Sequence, residues 1–98
     1  MRKITKEISE SFKLGLNKSK GNTRTSGNRV YLHGNAIAEK REDGLYVTLS
    51  GWPTVTTRER VNGILEAFGC SKRFHQSNFS QYFGEQVIEN TNHWVKAV

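Results

Sequence analysis

A chain of 98 residues with 35% hydrophobic and 24% charged side chains is one globular domain's worth, with room for a single modest core. One cysteine excludes an intrachain disulfide, no apolar run approaches the ~18 residues needed to cross a bilayer, and no apolar stretch follows the first cations as in a secretory signal. The formal charge of +6 is carried by residues 1–29, with eight basic and two acidic side chains, while 30–98 balance seven against seven; a neutral body with a cationic front end suits a polyanionic partner.

The front end opens on Ile4, Ile8 and Phe12, spaced four apart on one stripe of a short helix. Phe12, Leu14 and Leu16 then alternate in the manner of an extended segment. Residues 17–29 hold no apolar side chain and are rich in Gly, Asn, Ser and Thr, so they are expected to form a flexible loop. The division that follows is a basic N-terminal segment over 1–29 and a single domain over 30–98.

From 29 to 50 the pattern is antiparallel β-structure. Val30 to His33 alternates, Gly34-Asn35 marks a tight turn or bulge, and Asp43-Gly44 marks a hairpin before Leu45, Val47 and Leu49, which share one face. Pro53 ends that strand. A capping box of Thr56 with Glu59 predicts a helix over about 57–68, with Val61, Ile64, Leu65 and Phe68 on its apolar stripe and Gly69 as its stop. The stripe is expected to pack on the Leu45, Val47 and Leu49 face. Beyond it, 72–76, 86–88 and 94–95 read as short strands, 78–84 as an aromatic, polar loop or a turn of helix, and Cys70 as a small apolar residue past the helix end. The fold class is α+β: a small antiparallel sheet of about three to five strands, one well-capped helix packed on one face and a short N-terminal helix.

Nothing in the sequence spells out a catalytic or metal constellation. His33, His75, His93 and Cys70 lack zinc-site spacing, and there is no glycine-rich phosphate loop or nucleophile elbow, so no metal and no cofactor are expected. The nearest enzymatic reading is a metal-free ribonuclease, with His33 or His75 and Glu39 moving protons and Arg58 and Arg73 on the phosphate. The spacing does not require it, and the chain is read as a non-enzyme. Nucleic-acid binding rests on Lys13, Lys18, Lys20, Arg24 and Arg29, cations interleaved with hydroxyl and amide donors that can follow a phosphate backbone. If Val30 and Leu32 point inward, Tyr31, His33 and Tyr46 share the outer sheet face, where exposed aromatics stack unpaired bases. The competing use of that face is to bury the Ile4, Ile8 and Phe12 stripe, and this covering role is the favoured expectation.

The runs Asn22-Thr23, Leu32-His33-Gly34-Asn35-Ala36-Ile37-Ala38 and Gly51-Trp52-Pro53-Thr54-Val55-Thr56-Thr57-Arg58-Glu59-Arg60-Val61-Asn62 resemble a group of small uncharacterised proteins encoded mostly by tailed bacteriophages. The resemblance covers about residues 22–68, is most specific over Trp52–Asn62, implies a phage origin and hence the host bacterial cytoplasm, and transfers no catalytic residue. These positions have structural uses first, but His33, Trp52, Arg58, Arg60 and Asn62 can gather near one end of the sheet as a surface site. Two functions stay open: binding of DNA or RNA through the cationic segment, or inhibition or adaptation of a host protein complex. In the second, the basic arm docks on an acidic host protein and Trp52, Phe79, Tyr82 or Trp94 anchor the contact.

Overall fold

The computed structural model describes residues 2–98. Among them the chain forms, in order, α1 (Lys3–Lys13), β1 (Lys18–Lys20), β2 (Thr23–Ser26), β3 (Arg29–Leu32), β4 (Asn35–Arg41), β5 (Gly44–Val47), α2 (Val55–Ala67), β6 (Phe74–Ser77), β7 (Ser80–Phe83), β8 (Gln86–Ile88) and β9 (Val95–Lys96). The architecture is α+β. A six-stranded antiparallel sheet runs β1-β2-β3-β4-β5-β9, and a second sheet runs β6-β7-β8, so the sheet is wider than the sequence suggested.

The segment expected to be a flexible loop is the start of the main sheet. Lys20 pairs with Thr23 around Gly21-Asn22, and Ser26 pairs with Arg29 around Gly27-Asn28. Both glycines have positive φ (59° and 60°), as two-residue hairpin turns with Gly in first place require. Between the turns Thr23 and Thr25 point inward and are buried, while Arg24 and Ser26 are exposed. The inward hydroxyls are satisfied: Thr25 donates to the Leu16 carbonyl at 2.7 Å and accepts from the Lys18 N–H at 2.8 Å. Residues 2–29 are therefore not separate from the body, since Ile8 and Phe12 lie in the same core as Val30 and Leu32.

The position of α1 corrects a second expectation. It lies beside α2 and against β1 and β2, on the inner side of the sheet, so it does not cover the outer face. Ile8 and Phe12 meet Val30, Leu32, Leu45 and Val47 from the sheet and Val61, Ile64 and Leu65 from α2. The stretch Leu14–Leu16 is the helix stop, not a strand: Leu16 N–H returns to Ser11 O at 2.8 Å and Gly15 N–H to Phe12 O at 3.1 Å, and Leu14 and Leu16 are exposed. Lys40, reaching in from β4, donates to the Phe12 carbonyl at 2.7 Å, a cation on the C-terminal end of α1.

The helix α2 starts two residues earlier than expected. Its N-cap is Thr54, whose hydroxyl accepts from the Thr57 N–H at 3.1 Å, and not Thr56. Glu59 is unavailable for a capping box because its carboxylate is bonded by Thr5 and Arg60. Gly69 ends the helix as expected, with Cys70 N–H on Leu65 O at 2.9 Å and Gly69 N–H on Glu66 O at 3.0 Å. The second sheet then adds Phe74, Phe83 and Ile88 to the core. Residues 80–83, expected to be loop or helical turn, are the strand β7, with Gln81 and Phe83 inward. Finally β9 returns to the edge of β5, pairing Val95 with Val47.

Candidate nucleic-acid interface

The outer face of the main sheet follows from the alternation of its strands. With Thr23, Thr25, Val30, Leu32, Leu45 and Val47 inward, Arg24, Tyr31 and Tyr46 point outward. Arg24 stands opposite Tyr31, and Arg29 opposite Glu39, which stands opposite Tyr46. The guanidinium of Arg24 lies 4.2 Å from the Tyr31 ring centroid. That of Arg41 lies 4.0 Å from Tyr46 and 5.4 Å from Trp94. These are cation–π pairs, and they hold flat aromatic and guanidinium groups side by side on one surface.

Glu39 sits among these cations. Its carboxylate accepts from Arg29 Nε and from Arg41 Nε, each at 2.5 Å. The Arg41 and Arg29 hydrogen bonds hold its pKa below the ordinary glutamate value. At the hairpin beyond, the Tyr46 hydroxyl donates to Asp43 at 2.7 Å, which lowers the Asp43 pKa and raises that of Tyr46.

The basic residues named from the sequence divide. Lys18 and Arg24 are exposed on the first two strands, and among the described residues neither has a carboxylate within ion-pair reach. Lys20 is bonded to Glu7 of α1 and Arg29 to Glu39. Lys13 lies with Lys6, Glu10 and Glu66 in the groove between the helices, away from the sheet face. Tyr31 and Tyr46 are outward as expected. His33 is not: it occupies the β3–β4 turn at φ 51°.

Of the five residues proposed to gather at one end of the sheet, two do. His33 and Trp52 flank an open cavity of about 500 Å³ between the β3–β4 turn and the start of α2. Arg58 is turned to Gln81 and the Pro53 carbonyl, both at 3.0 Å. Arg60 is buried, donating to Thr23 at 3.0 Å and Thr5 at 2.9 Å and pairing with Glu59. Asn62 clamps β6, accepting from the Phe74 N–H at 2.8 Å and donating to the Phe74 carbonyl at 2.9 Å. These last three hold the fold together.

Of the residues named for a ribonuclease, Glu39 and His33 belong to the main sheet and its β3–β4 turn, whereas Arg73 and His75 lie together at the second sheet, the Arg73 carbonyl accepting from the Gly84 N–H at 2.9 Å and the His75 ring lying 2.8 Å from the Gly84 carbonyl. Glu39 is engaged by two arginines, His75 stacks on Tyr82 with centroids 5.3 Å apart, and Arg73 bonds the Cys70 carbonyl. Among the described residues no group of three or more His, Cys, Asp or Glu is placed to hold a metal ion, and no helix is long and apolar enough to cross a membrane.

Sequence reasoning missed Arg41, Ile37 and Asn35, and had Trp94 as an anchor for a protein partner but not on this face. Arg41 was legible, since it follows Glu39 by two along a strand whose partner carries Tyr46. Trp94 was not, because only the return of β9 to β5 brings it there.

No curated protein and no solved structure matches this chain at a significant level. A family model, however, spans residues 1–97, so the likeness extends over the α1 and β1–β2 region as well as the middle of the chain, and the protein belongs to the Kyanoviridae Gp96 protein family of bacteriophage proteins.

Proposed function

We propose that this phage protein binds nucleic acid without cleaving it, acting in the host cytoplasm through the outer face and first strands of its main sheet. The observation that carries the reading is the placement of both helices on the inner side, which leaves Arg24 stacked on Tyr31 on an uncovered surface, while Lys18, opposite the inward Thr25, is exposed at the sheet edge on the helix side. Arginine on the outer face neutralises phosphate, and the ring faces next to it suit unpaired bases, which duplex structure would withhold.

The test is an electrophoretic mobility shift with single- and double-stranded DNA and RNA at about 150 mM salt. Removal of residues 1–29 is not informative, because it strips Ile8, Phe12, Thr23 and Thr25 from the core. Exposed point variants are. Micromolar binding by the intact protein, with a salt slope reduced by about 0.7 in the Arg24→Ala variant, supports the reading. Absence of binding at that salt overturns it.

Inhibition or adaptation of a host complex is the second reading, favoured by Phe79. This residue is 95% exposed at the tip of the β6–β7 hairpin, with φ 66°. A bulky side chain held outward on a left-handed backbone suits an anchor for a protein partner. A host complex that survives nuclease digestion and is lost in Phe79→Ala supports this reading over the first.

A further inference from the structure

Three local irregularities surround the cavity beside Trp52. The ladder between β3 and β4 slips by one residue, Val30 pairing with Ala38 and Tyr31 with Ala36, so that Ile37 is the extra residue of a bulge. That bulge allows Ile37 as well as Ala38 to be buried, and Ile37 forms the cavity floor with Leu32 and Leu49. His33 and Ser50, both in the lining, have positive φ (51° and 55°), an arrangement costly for residues with a side chain. Trp52 stands at the mouth with 58% of its surface exposed. A bulge, two left-handed non-glycine residues and an uncovered indole thus converge on one cavity of about 500 Å³.

The lining has two chemistries. The floor is aliphatic, while Asn35, Ser50 and Thr56 put an amide and two hydroxyls on the walls. A flat heterocycle with apolar faces and a hydrogen-bonding edge fits such a lining. An aliphatic ligand would leave the polar walls unused, and a bare phosphate would leave the floor and the indole unused. The cavity also connects to the cationic face. His33 lines both it and a smaller neighbouring depression of about 220 Å³ that reaches Asn22 and Arg24, and the Asn22 amide approaches the His33 ring to 3.4 Å. Arg24 in turn lies on Tyr31. From the cavity, therefore, a track leads over the β3–β4 turn to the Arg24–Tyr31 pair.

We infer that this cavity receives one unpaired nucleobase of a bound single strand, stacked against Trp52 with its edge toward Asn35, Ser50 and Thr56, while the adjoining phosphates pass Arg24. The inference rests on the nucleic-acid reading above and adds a strand preference and a reading point to it. The site belongs to a single strand, because a paired base cannot leave its stack without unpairing.

The experiment uses the intact protein and a mixed-sequence ten-nucleotide single strand, its matched duplex and a series of the same strand with one abasic position moved along it. Affinity is read from the anisotropy of the labelled strand, and the Trp52 indole N–H resonance is assigned by its loss in Trp52→Phe. The expected results are a shift of that resonance with the single strand and not with the duplex, a loss of about tenfold in single-strand affinity in Trp52→Ala, and a comparable loss at one abasic position only. Trp52 is largely exposed, so the variant keeps its fold; an unchanged thermal midpoint checks this. Single-strand binding that leaves the Trp52 resonance in place and is untouched by Trp52→Ala overturns the base pocket while sparing the wider nucleic-acid reading. Failure of every strand to bind at about 150 mM salt removes both.

Discussion

Arg60, near the middle of α2, donates through Nε to the hydroxyl of Thr23 on β2 at 3.0 Å, and the whole guanidinium is buried there. The same group bonds Thr5 of α1 at 2.9 Å and pairs with Glu59, so one arginine ties both helices to the first hairpin. Removing it takes one of three donors from a partly buried carboxylate and the guanidinium donor from two buried hydroxyls. Arg60→Ala is expected to destabilise the protein by about 3 kcal/mol, read from the urea midpoint at unchanged slope. Thr23→Val, which removes one acceptor and keeps the shape, is expected to cost about 1 kcal/mol. Equal small effects from the two would show that the arginine is not the joint.

The partner of that arginine makes stability depend on pH. Burial pulls the Glu59 pKa upward, but hydrogen bonds from the Thr5 hydroxyl, the Arg2 N–H and the Arg60 guanidinium outweigh it and hold the group below the ordinary 4.5. A carboxyl with a depressed pKa in the folded state stabilises that state above its unfolded value and loses the contribution as pH falls through the folded one. Glu39 and Glu7 are lowered as well, by their arginine and lysine hydrogen bonds. The urea midpoint is therefore expected to be flat above about pH 5.5 and to fall below pH 4.5, with a shallower fall in Glu59→Gln. A midpoint rising on acidification would contradict these ion pairs.

Gly44 is placed where no other residue fits. A Cβ there would stand 1.9 Å from the Val98 carbonyl oxygen, which accepts from the Leu45 N–H, and the residue has φ 143°. Gly27 also has positive φ, yet a Cβ on it meets nothing within 4 Å. Gly27→Ala thus measures the backbone cost alone, expected at about 1 kcal/mol, and Gly44→Ala adds the clash, for about 2–3 kcal/mol in total. Thermal midpoints of the two variants check the order, and equality would mean that the backbone at Val98 yields to the methyl without loss.

How far the fold could be read from the chain turns on one segment. The β4–β5 hairpin, the inward Leu45 and Val47, the stripe of α2 and its stop at Gly69 are all as expected, except that the hairpin turns at Glu42-Asp43, one residue before the expected Asp43-Gly44. Residues 17–29 have no aliphatics, so hydrophobic counting passed over them. Their strand signal was polar: Thr23 and Thr25 alternate with Arg24 and Ser26 between two Gly-Asn pairs. That omission then misplaced α1. A sheet beginning at β3 offers a second helix only its outer face, whereas β1 and β2 widen the inner face enough to seat α1 beside α2. The outward Tyr31 and Tyr46 were legible from strand alternation, but that they stay uncovered was not. The cavity was invisible for a different reason: it depends on a bulge at Ile37 and on two turns that meet only in the folded chain.

Glu39 gives the sharpest test of where nucleic acid lies. It is the acidic member of the outer face and holds both Arg29 and Arg41. A phosphate approaching Arg24 and Tyr31 meets that carboxylate's field and competes with it for the two guanidinium groups. Glu39→Gln keeps the side-chain shape, deletes the charge and releases the arginines. The ion pairs are partly exposed, so the stability loss is expected to stay below about 1 kcal/mol. Affinity for a single strand is expected to rise about threefold at about 150 mM salt, and further at lower salt where screening weakens. Arg24→Ala changes it in the opposite sense. An affinity unmoved by Glu39→Gln while Arg24→Ala weakens it would confine the strand to the β1–β3 side of the sheet, whereas indifference to both would take the nucleic acid off this face altogether.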